Sequence, residues 1–479
     1  MIFKDRRNII EALNIIEEKY CVTRWEMYGF RVWPIIRMLA YFKLWQRCIN
    51  NRNNDNQNNA NIIGYVDILQ KISSSIFCSS KKIYDVKECV FLNNSGCKRL
   101  VDNIWVDVFC DPIIKALGKE NCTVLEWDNA GYKDSTYVDS LKIQNDLDKI
   151  KIKTKLQTFK KKKFYFHEYD AVNNLLNNIL DEINVLYSIE LINNYRKYFL
   201  RYFCKHIPKL AFTTIYYNEI GMGFILACKS VKCKTIDIQH GMQVGNNPAY
   251  TSWVNVPQDG YELMPDMFMV RGLEEEKNIM QWCHNNIQVI KSGDLWLNEW
   301  LDDNNDFVRK YDIIFDKIKK GYKATILFTL DYQSIPDVLI LLIKRMPKDI
   351  LWLIRLHPAD LQNINIRKEE LNGIDNVNLD DASNLPLHAL LRNIDIHITD
   401  YSGVVLEAEK FGVMSVILSK SESKLFQKTI DAGNAVALFE IDELEDSITD
   451  MIRNKKKKSF DKQVQGINNI KDILMSAII

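Results

Sequence analysis

Three short segments carry side chains suited to group transfer. The first is Gln239-His240-Gly241, which closes the run KTIDIQHG (234–241) that also holds Asp237. An imidazole titrates close to neutral pH, so His240 suits a general base delivered at a sheet edge. Gly241 would let the backbone turn sharply or approach a ligand. The same histidine could instead serve its own loop through hydrogen bonds. The second segment is Arg355-Leu356-His357-Pro358, after the apolar run 350–354. Arg355 and His357 can both donate to an anionic oxygen, as a diphosphate requires, and Pro358 fixes the local backbone. Its plainer reading is a solvated strand end. The third runs from Thr399-Asp400-Tyr401-Ser402-Gly403 to Glu407-Ala408. Ser402 and Gly403 would open a helix, where backbone N–H groups and the helix dipole favour phosphate. Glu407 falls about one turn later, where a carboxylate could accept both hydroxyls of a ribose. A serine cap followed by an ordinary surface glutamate explains the same residues. Asp331 and Gln333 follow the run 324–330, and Asp331 either lines a donor pocket or caps the next helix.

Apolar runs must bring these segments together. KECVFLNN (87–94), NCTVLEWD (121–128), AFTTIYYN (211–218), KTIDIQHG, DMFMVRG (266–272) and IQVIKSG (287–293) alternate with helical stretches. A second series follows: ATILFTL (324–330), DILWLIRL (349–356), NVNLD (376–380), DIHITD (395–400), VMSVILS (413–419) and AVALFE (435–440). Short β-rich runs separated by helices predict parallel sheets with crossover helices. The expected fold is α/β, with two Rossmann-like doubly wound domains facing a cleft. The N-terminal, acceptor-side domain spans 1–300 and the C-terminal, nucleotide-donor domain 301–479. Ligands of such sheets sit beyond the carboxyl ends of the strands, where all three segments fall. Residues 1–48 predict a helical extension, with Trp25, Tyr28, Val32, Ile35, Ile36, Leu39 and Phe42 on one face and Pro34 kinking or starting a helix. The Asn-rich stretch 50–61 predicts a mobile loop.

Lys plus Arg is 63 and Asp plus Glu 62, a formal charge of +1. That balance argues against a nucleic-acid partner. With 47% apolar residues, wholesale disorder is also excluded. No uninterrupted apolar run of about 18 residues predicts a spanning helix, and the first residues lack a signal-peptide core. A cytoplasmic protein is expected. The eleven cysteines include no CxxC pair and suggest reduced thiols and no structural metal. Local basic clusters, Lys160–Lys163, Lys455–Lys458 and the arginines of the first helix, suit peripheral contact with the inner membrane face.

The order Gln-His-Gly (239–241), Gly-Asp-Leu-Trp-Leu (293–297), Arg-Leu-His-Pro (355–358), Thr-Asp-Tyr-Ser-Gly (399–403) and Glu-Ala (407–408) resembles bacterial surface-polysaccharide glycosyltransferases of the GT-B fold. The look-alikes are capsule Kdo transferases, sialyltransferases with a His-Pro motif, and CDP-glycerol glycerophosphotransferases, which carry Ser-Ser where this chain has Ser402-Gly403. The likeness covers about 211–440. It implies that His357 contacts the donor phosphate and assists the leaving group. Arg355, Ser402 and Gly403 would bind the same phosphates, Glu407 the ribose, and Asp331 would line the donor site. His240 would touch the acceptor or act as base, with Gln239 and Gly241 beside it. Asp237 and Glu219 are the nearest carboxylates to the acidic base motif of the sialyltransferases; Tyr217, Asn247 and Tyr250 are further acceptor-side candidates. The implied reaction moves a sugar from a CMP-, CDP-, UDP- or GDP-linked donor to a lipid-linked glycan, with no metal or other cofactor. Rival readings are a CDP-alditol phosphotransferase, a nucleotide-sugar epimerase of the same fold, and a non-catalytic assembly scaffold.

Overall fold

The computed structural model describes residues 3, 5–53, 85–128, 135–159, 165–241, 247–284, 287–330, 334–400, 402–420, 423–454 and 467–476. The chain forms two compact units, one of Met1–Arg99, Asn103–Leu295 and Gln465–Ile479, the other of Leu100–Asp102 and Trp296–Val464.

The first unit opens with a helix, Arg6–Lys19, whose first turn is capped by the Asp5 carboxylate. A small hairpin follows, β1 (Glu26–Met27) and β2 (Phe30–Arg31), turning on Tyr28 (φ 56) and Gly29 (φ 76). The helix Trp33–Asn53 begins after it, with Pro34 in the first turn, where its missing N–H costs no bond. The single helical face expected over 1–48 is therefore two helices broken by a left-handed turn. Trp25 sits in the connection: its Nε1 donates to the His167 carbonyl at 2.8 Å, and its ring stacks on Phe166. Phe42 is 49% exposed, so it does not belong to the buried stripe. Glu17 and Arg37, both fully buried, pair at 2.7 Å between the two helices. Of the Asn-rich stretch 50–61, everything beyond Asn53 lies outside the described residues, as do Lys160–Lys163 and Lys455–Lys458.

The main sheet of this unit contains β3 (Cys89–Asn94). A two-stranded ribbon, β4 (Lys98–Val101) and β5 (Ile104–Asp107), separates it in sequence from β6 (Cys122–Trp127). Then come β7 (Ser140–Lys142), β8 (Leu210–Thr213), β9 (Lys234–Ile238), β10 (Met267–Val270) and β11 (Gln288–Lys291), in the spatial order β11-β10-β9-β8-β3-β6-β7. Every pairing is parallel. Strands such as LAFT are buried along their whole length because helices cover both faces. One face packs Phe91, Phe212 and Ile236; the other packs Leu92, Ala211 and Phe224.

The second unit repeats the plan with β12 (Ala324–Thr329), β13 (Ile350–Arg355), β14 (Val377–Asn378), β15 (Ile396–Thr399), β16 (Met414–Ile417) and β17 (Ala435–Ala437). Their order is β14-β13-β12-β15-β16-β17, again all parallel. The crossovers include helices Asp337–Arg345, Leu387–Asn393 and Val404–Lys410. Trp352, Ile354, Phe328, Ile398, Leu339 and Leu342 form its core.

The division expected at residue 300 changes at the C-terminus. Helix Ile467–Ser476 belongs to the first unit, where Ile470 and Leu474 are buried against Ile113, Ile114 and Leu117. An amphipathic helix goes where an apolar groove accepts it, whatever its distance in sequence. Among the described residues, no helix is long and apolar enough to cross a membrane.

Candidate active site

In the second unit the chain winds outward from β12 in both directions, so the switch point lies between β12 and β15. Register fixes what gathers there. Thr329 is level with Arg355 on one side and Thr399 on the other. The segments leaving β13 and β15 thus emerge at one sheet edge, two strand spacings or about 10 Å apart. A buried polar chain holds that edge. His397 bonds through Nε2 to Thr329 Oγ1 (2.9 Å) and through Nδ1 to Ser415 Oγ (3.0 Å), and Thr399 Oγ1 donates to the Thr329 carbonyl (3.0 Å). Burial pushes the His397 imidazole down to about 3.

Ser402 Oγ accepts a hydrogen bond from Val404 N at 3.3 Å, two residues on, ahead of the seven-residue helix Val404–Lys410, whose N-cap is Gly403. Gly403 has ordinary helical angles, and an added Cβ would meet nothing within 4 Å, so the fold does not require glycine there. Glu407 faces His388, with Oε2 3.3 Å from Nε2. His357 is half-buried just beyond β13, and its carbonyl accepts Asp360 N at 2.8 Å. The Asn363 amide, helped by Arg367, holds the Asp360 carboxyl below its ordinary range. Arg355 is placed differently from the phosphate-facing role expected of it. Its Nη1 donates to the Ala382 and Leu385 carbonyls (2.7 and 2.6 Å), tying β13 to the next connection. Asp331 and Gln333 lie outside the described residues.

In the first unit the switch point lies between β3 and β8, and the segments after β8 and β9 share that edge. His240 follows β9. Tyr217 Oη lies 3.4 Å from its Nε2, and Phe109 meets its ring edge-on at 6.3 Å. Burial, then the Arg271 charge, push the imidazole down to about 4, with the Thr214 backbone offsetting part of this. His240 is therefore neutral at pH 7. Gln239 ties the loop: its amide donates to the Gly241 carbonyl (2.9 Å) and Glu275 (3.2 Å), and its Oε1 accepts Arg271 N (2.7 Å). Gly241 has open space around its Cβ position, so the fold itself does not demand glycine. Asp237 is not presented to solvent. It is fully buried within β9, accepting from Tyr250 Oη at 2.8 Å and Tyr216 N at 3.2 Å, and burial raises its carboxyl well above the usual range. Glu219 opens the helix Glu219–Ser230 and accepts from Ser188 Oγ at 2.9 Å. Asn247 accepts the Ala249 N–H (3.1 Å) and Tyr250 is fully buried, so both act within the fold.

The sequence reading missed two groups. Arg271, the residue after β10, pairs with Asp294 at 3.0 Å and lies 5.6 Å over Phe109, beside His240. An arginine ending a buried apolar strand was the available signal. His388, in the first turn of helix Leu387–Asn393, offered none.

No protein-family model matches this chain, and no curated protein matches it in sequence. Among solved structures it is similar to the UDP-GlcNAc 2-epimerase of Methanocaldococcus jannaschii, at 12% identity over 81% of this chain and 99% of that one, with a TM-score of 0.49. The Neisseria meningitidis UDP-GlcNAc 2-epimerase bound to UDP-GlcNAc gives 15% identity, 81% and 98% coverage, and a TM-score of 0.48. The wall teichoic acid polymerase TagF gives 12%, 86% and 95%, and 0.45. The fold class follows from the strand orders themselves. Two doubly wound parallel sheets, each with polar residues at its carboxyl edge, are the domain content of the GT-B type.

Proposed function

We propose that the chain is a metal-independent glycosyltransferase that uses a nucleotide-linked sugar. The observation that carries this reading is that each unit presents polar groups at the carboxyl edge of its own sheet. One presents His240, an imidazole kept neutral at pH 7; the other presents His357, Ser402 and the His388-held Glu407 around a switch point. In this reading the second unit takes the nucleotide, with Glu407 on the ribose and His357 on the phosphates. The first takes the acceptor. An acceptor oxygen bonds to the anomeric carbon as the carbon–oxygen bond to the phosphate breaks. The hydroxyl proton passes to His240, and the leaving phosphate keeps the electron pair. A base held at about 4 is weak, so it takes the proton only as the new bond forms. Buried Asp237 keeps Tyr216 and Tyr250 in place behind the His240 loop rather than touching substrate.

A lipid-linked surface glycan as acceptor, and a place on the cytoplasmic membrane face, belong to the same proposal. They are supported by the motif resemblance and by half-exposed Phe42 beside Lys43 and Arg47. The test is a cell-free assay with CMP-, CDP-, UDP- and GDP-sugars, lipid-linked glycan and EDTA. Sugar transfer that survives EDTA is expected. A sugar epimerised without acceptor, phosphorus in the product, or unchanged activity in both His240→Ala and His357→Ala would overturn the proposal.

A further inference from the structure

Glu407 is the residue to which the proposed function gives the ribose, and its surroundings are more specific than that role alone requires. His388 lies on helix Leu387–Asn393, with its side chain 13% exposed against 32% for Glu407. Its ring is boxed. Trp300 stacks on it (centroids 6.0 Å apart, planes at 18°), Trp296 meets it edge-on at 6.4 Å, and Phe411 tilts against it at 6.0 Å. Trp300 is fully buried and is itself packed by Phe307 at 4.7 Å and Tyr311 at 5.5 Å. The contacts with Trp296, Trp300 and Phe411 restrict the His388 ring, whose Nε2 lies 3.3 Å from Glu407 Oε2.

A glutamate on a surface turn of helix samples several rotamers and loses that freedom when it binds. The His388 contact at one oxygen removes part of this loss beforehand. We infer that His388 is a positioning residue that pre-orients Glu407 for vicinal hydroxyls, and that Trp296 and Trp300 exist in part to aim it. This gives the tryptophan of Gly293-Asp294-Leu295-Trp296-Leu297 a task that the motif alone did not reveal. The inference rests on the ribose reading of Glu407 and deepens it. The plainer alternative is that His388 and Glu407 only staple helix Leu387–Asn393 to helix Val404–Lys410.

The experiment measures dissociation constants of CMP, CDP, UDP and GDP on the full chain. Whichever binds is then compared with its 2′,3′-dideoxy form. In the wild type, loss of both hydroxyls should weaken binding about 100-fold. In His388→Leu the intact nucleotide should weaken about tenfold while the dideoxy form binds as before, so the ratio falls to about tenfold. His388→Gln, which keeps an N–H donor but cannot stack, should stay within about threefold of wild type; it carries the test if His388→Leu does not fold. Equal weakening of both nucleotide forms, or His388→Gln failing as badly as His388→Leu, would show that His388 only staples the helices. A wild type that ignores the ribose hydroxyls, or binds none of the four nucleotides, removes the ribose reading and this inference together. Those results are separable, because the first two leave the wild-type ratio intact.

Discussion

His240 should remain neutral far below the pH at which an ordinary histidine charges. Its ordinary value of 6.5 is pushed to about 4 by burial and by Arg271. At about 1.4 kcal/mol per unit, protonating it in place costs roughly 3 kcal/mol more than in an open chain. At pH 5.5 an open-chain imidazole is about 90% charged and His240 only about 3%. The perturbation is a pH series from 7.5 to 3.5, and the assay is imidazole ¹⁵N NMR. There are seven histidines, and His240→Gln identifies the signal that matters. Stability gives a second reading of the same shift. Between pH 6.5 and 4 the unfolded chain binds the extra proton, so stability falls as pH falls. From pH 7 to 4 the wild type should lose about 3 kcal/mol more than His240→Gln does, measured by urea unfolding. Arg271→Leu should move the titration upward, because it removes the repelling charge. A His240 signal that titrates between 6 and 7 with Arg271 present would refute the burial argument and the neutral-base reading that depends on it.

The remaining expectations concern packing and chemistry. Leu474→Ala empties a fully buried position against Ile113 and Ile114 and should cost about 2–5 kcal/mol in urea unfolding. Gly221→Ala places a Cβ 2.1 Å from the Ile215 carbonyl and 2.9 Å from Tyr216 Cα. It must displace the loop that carries Tyr217, at about 1–3 kcal/mol by chemical denaturation. Asp237→Ala leaves Tyr250 Oη and Tyr216 N without their buried acceptor and should cost about 1–3 kcal/mol per orphaned group, read as a lower unfolding midpoint. His357→Ala should cut transfer about 10²–10³-fold with the melting temperature unchanged, by the assay described above.

The sheets were legible because buried parallel strands announce themselves. ATILFT and ILWLIR admit no other use, and both came out as strands within a residue of their expected bounds. The positions of His240, His357 and Ser402 beyond strand ends followed from the same runs. What those side chains do there depends on partners far along the chain. Arg355 reads as a phosphate ligand until the carbonyls of Ala382 and Leu385 arrive at its guanidinium. Asp237 reads as a base until Tyr250 and Tyr216 N close on its carboxylate in a strand buried on both faces. Nothing near His388 in sequence foretells Trp300, which comes 88 residues earlier. The N-terminal break was encoded in Tyr28-Gly29, a left-handed turn that a three-and-four spacing of apolar residues concealed.

The docking of helix Ile467–Ser476 has a consequence for synthesis. The first unit is discontinuous in sequence, and its last piece leaves the ribosome only after the whole second unit has been made. Translating the roughly 170 residues of Trp296–Val464 takes on the order of 10–30 s. Throughout that interval the nascent first unit carries an unfilled apolar seam along Ile113, Ile114 and Leu117. The chain therefore emerges with a built-in window in which a chaperone, or a second nascent copy, can compete for that seam. A truncation that removes helix Ile467–Ser476 acts on the first unit, although that helix is made after the second.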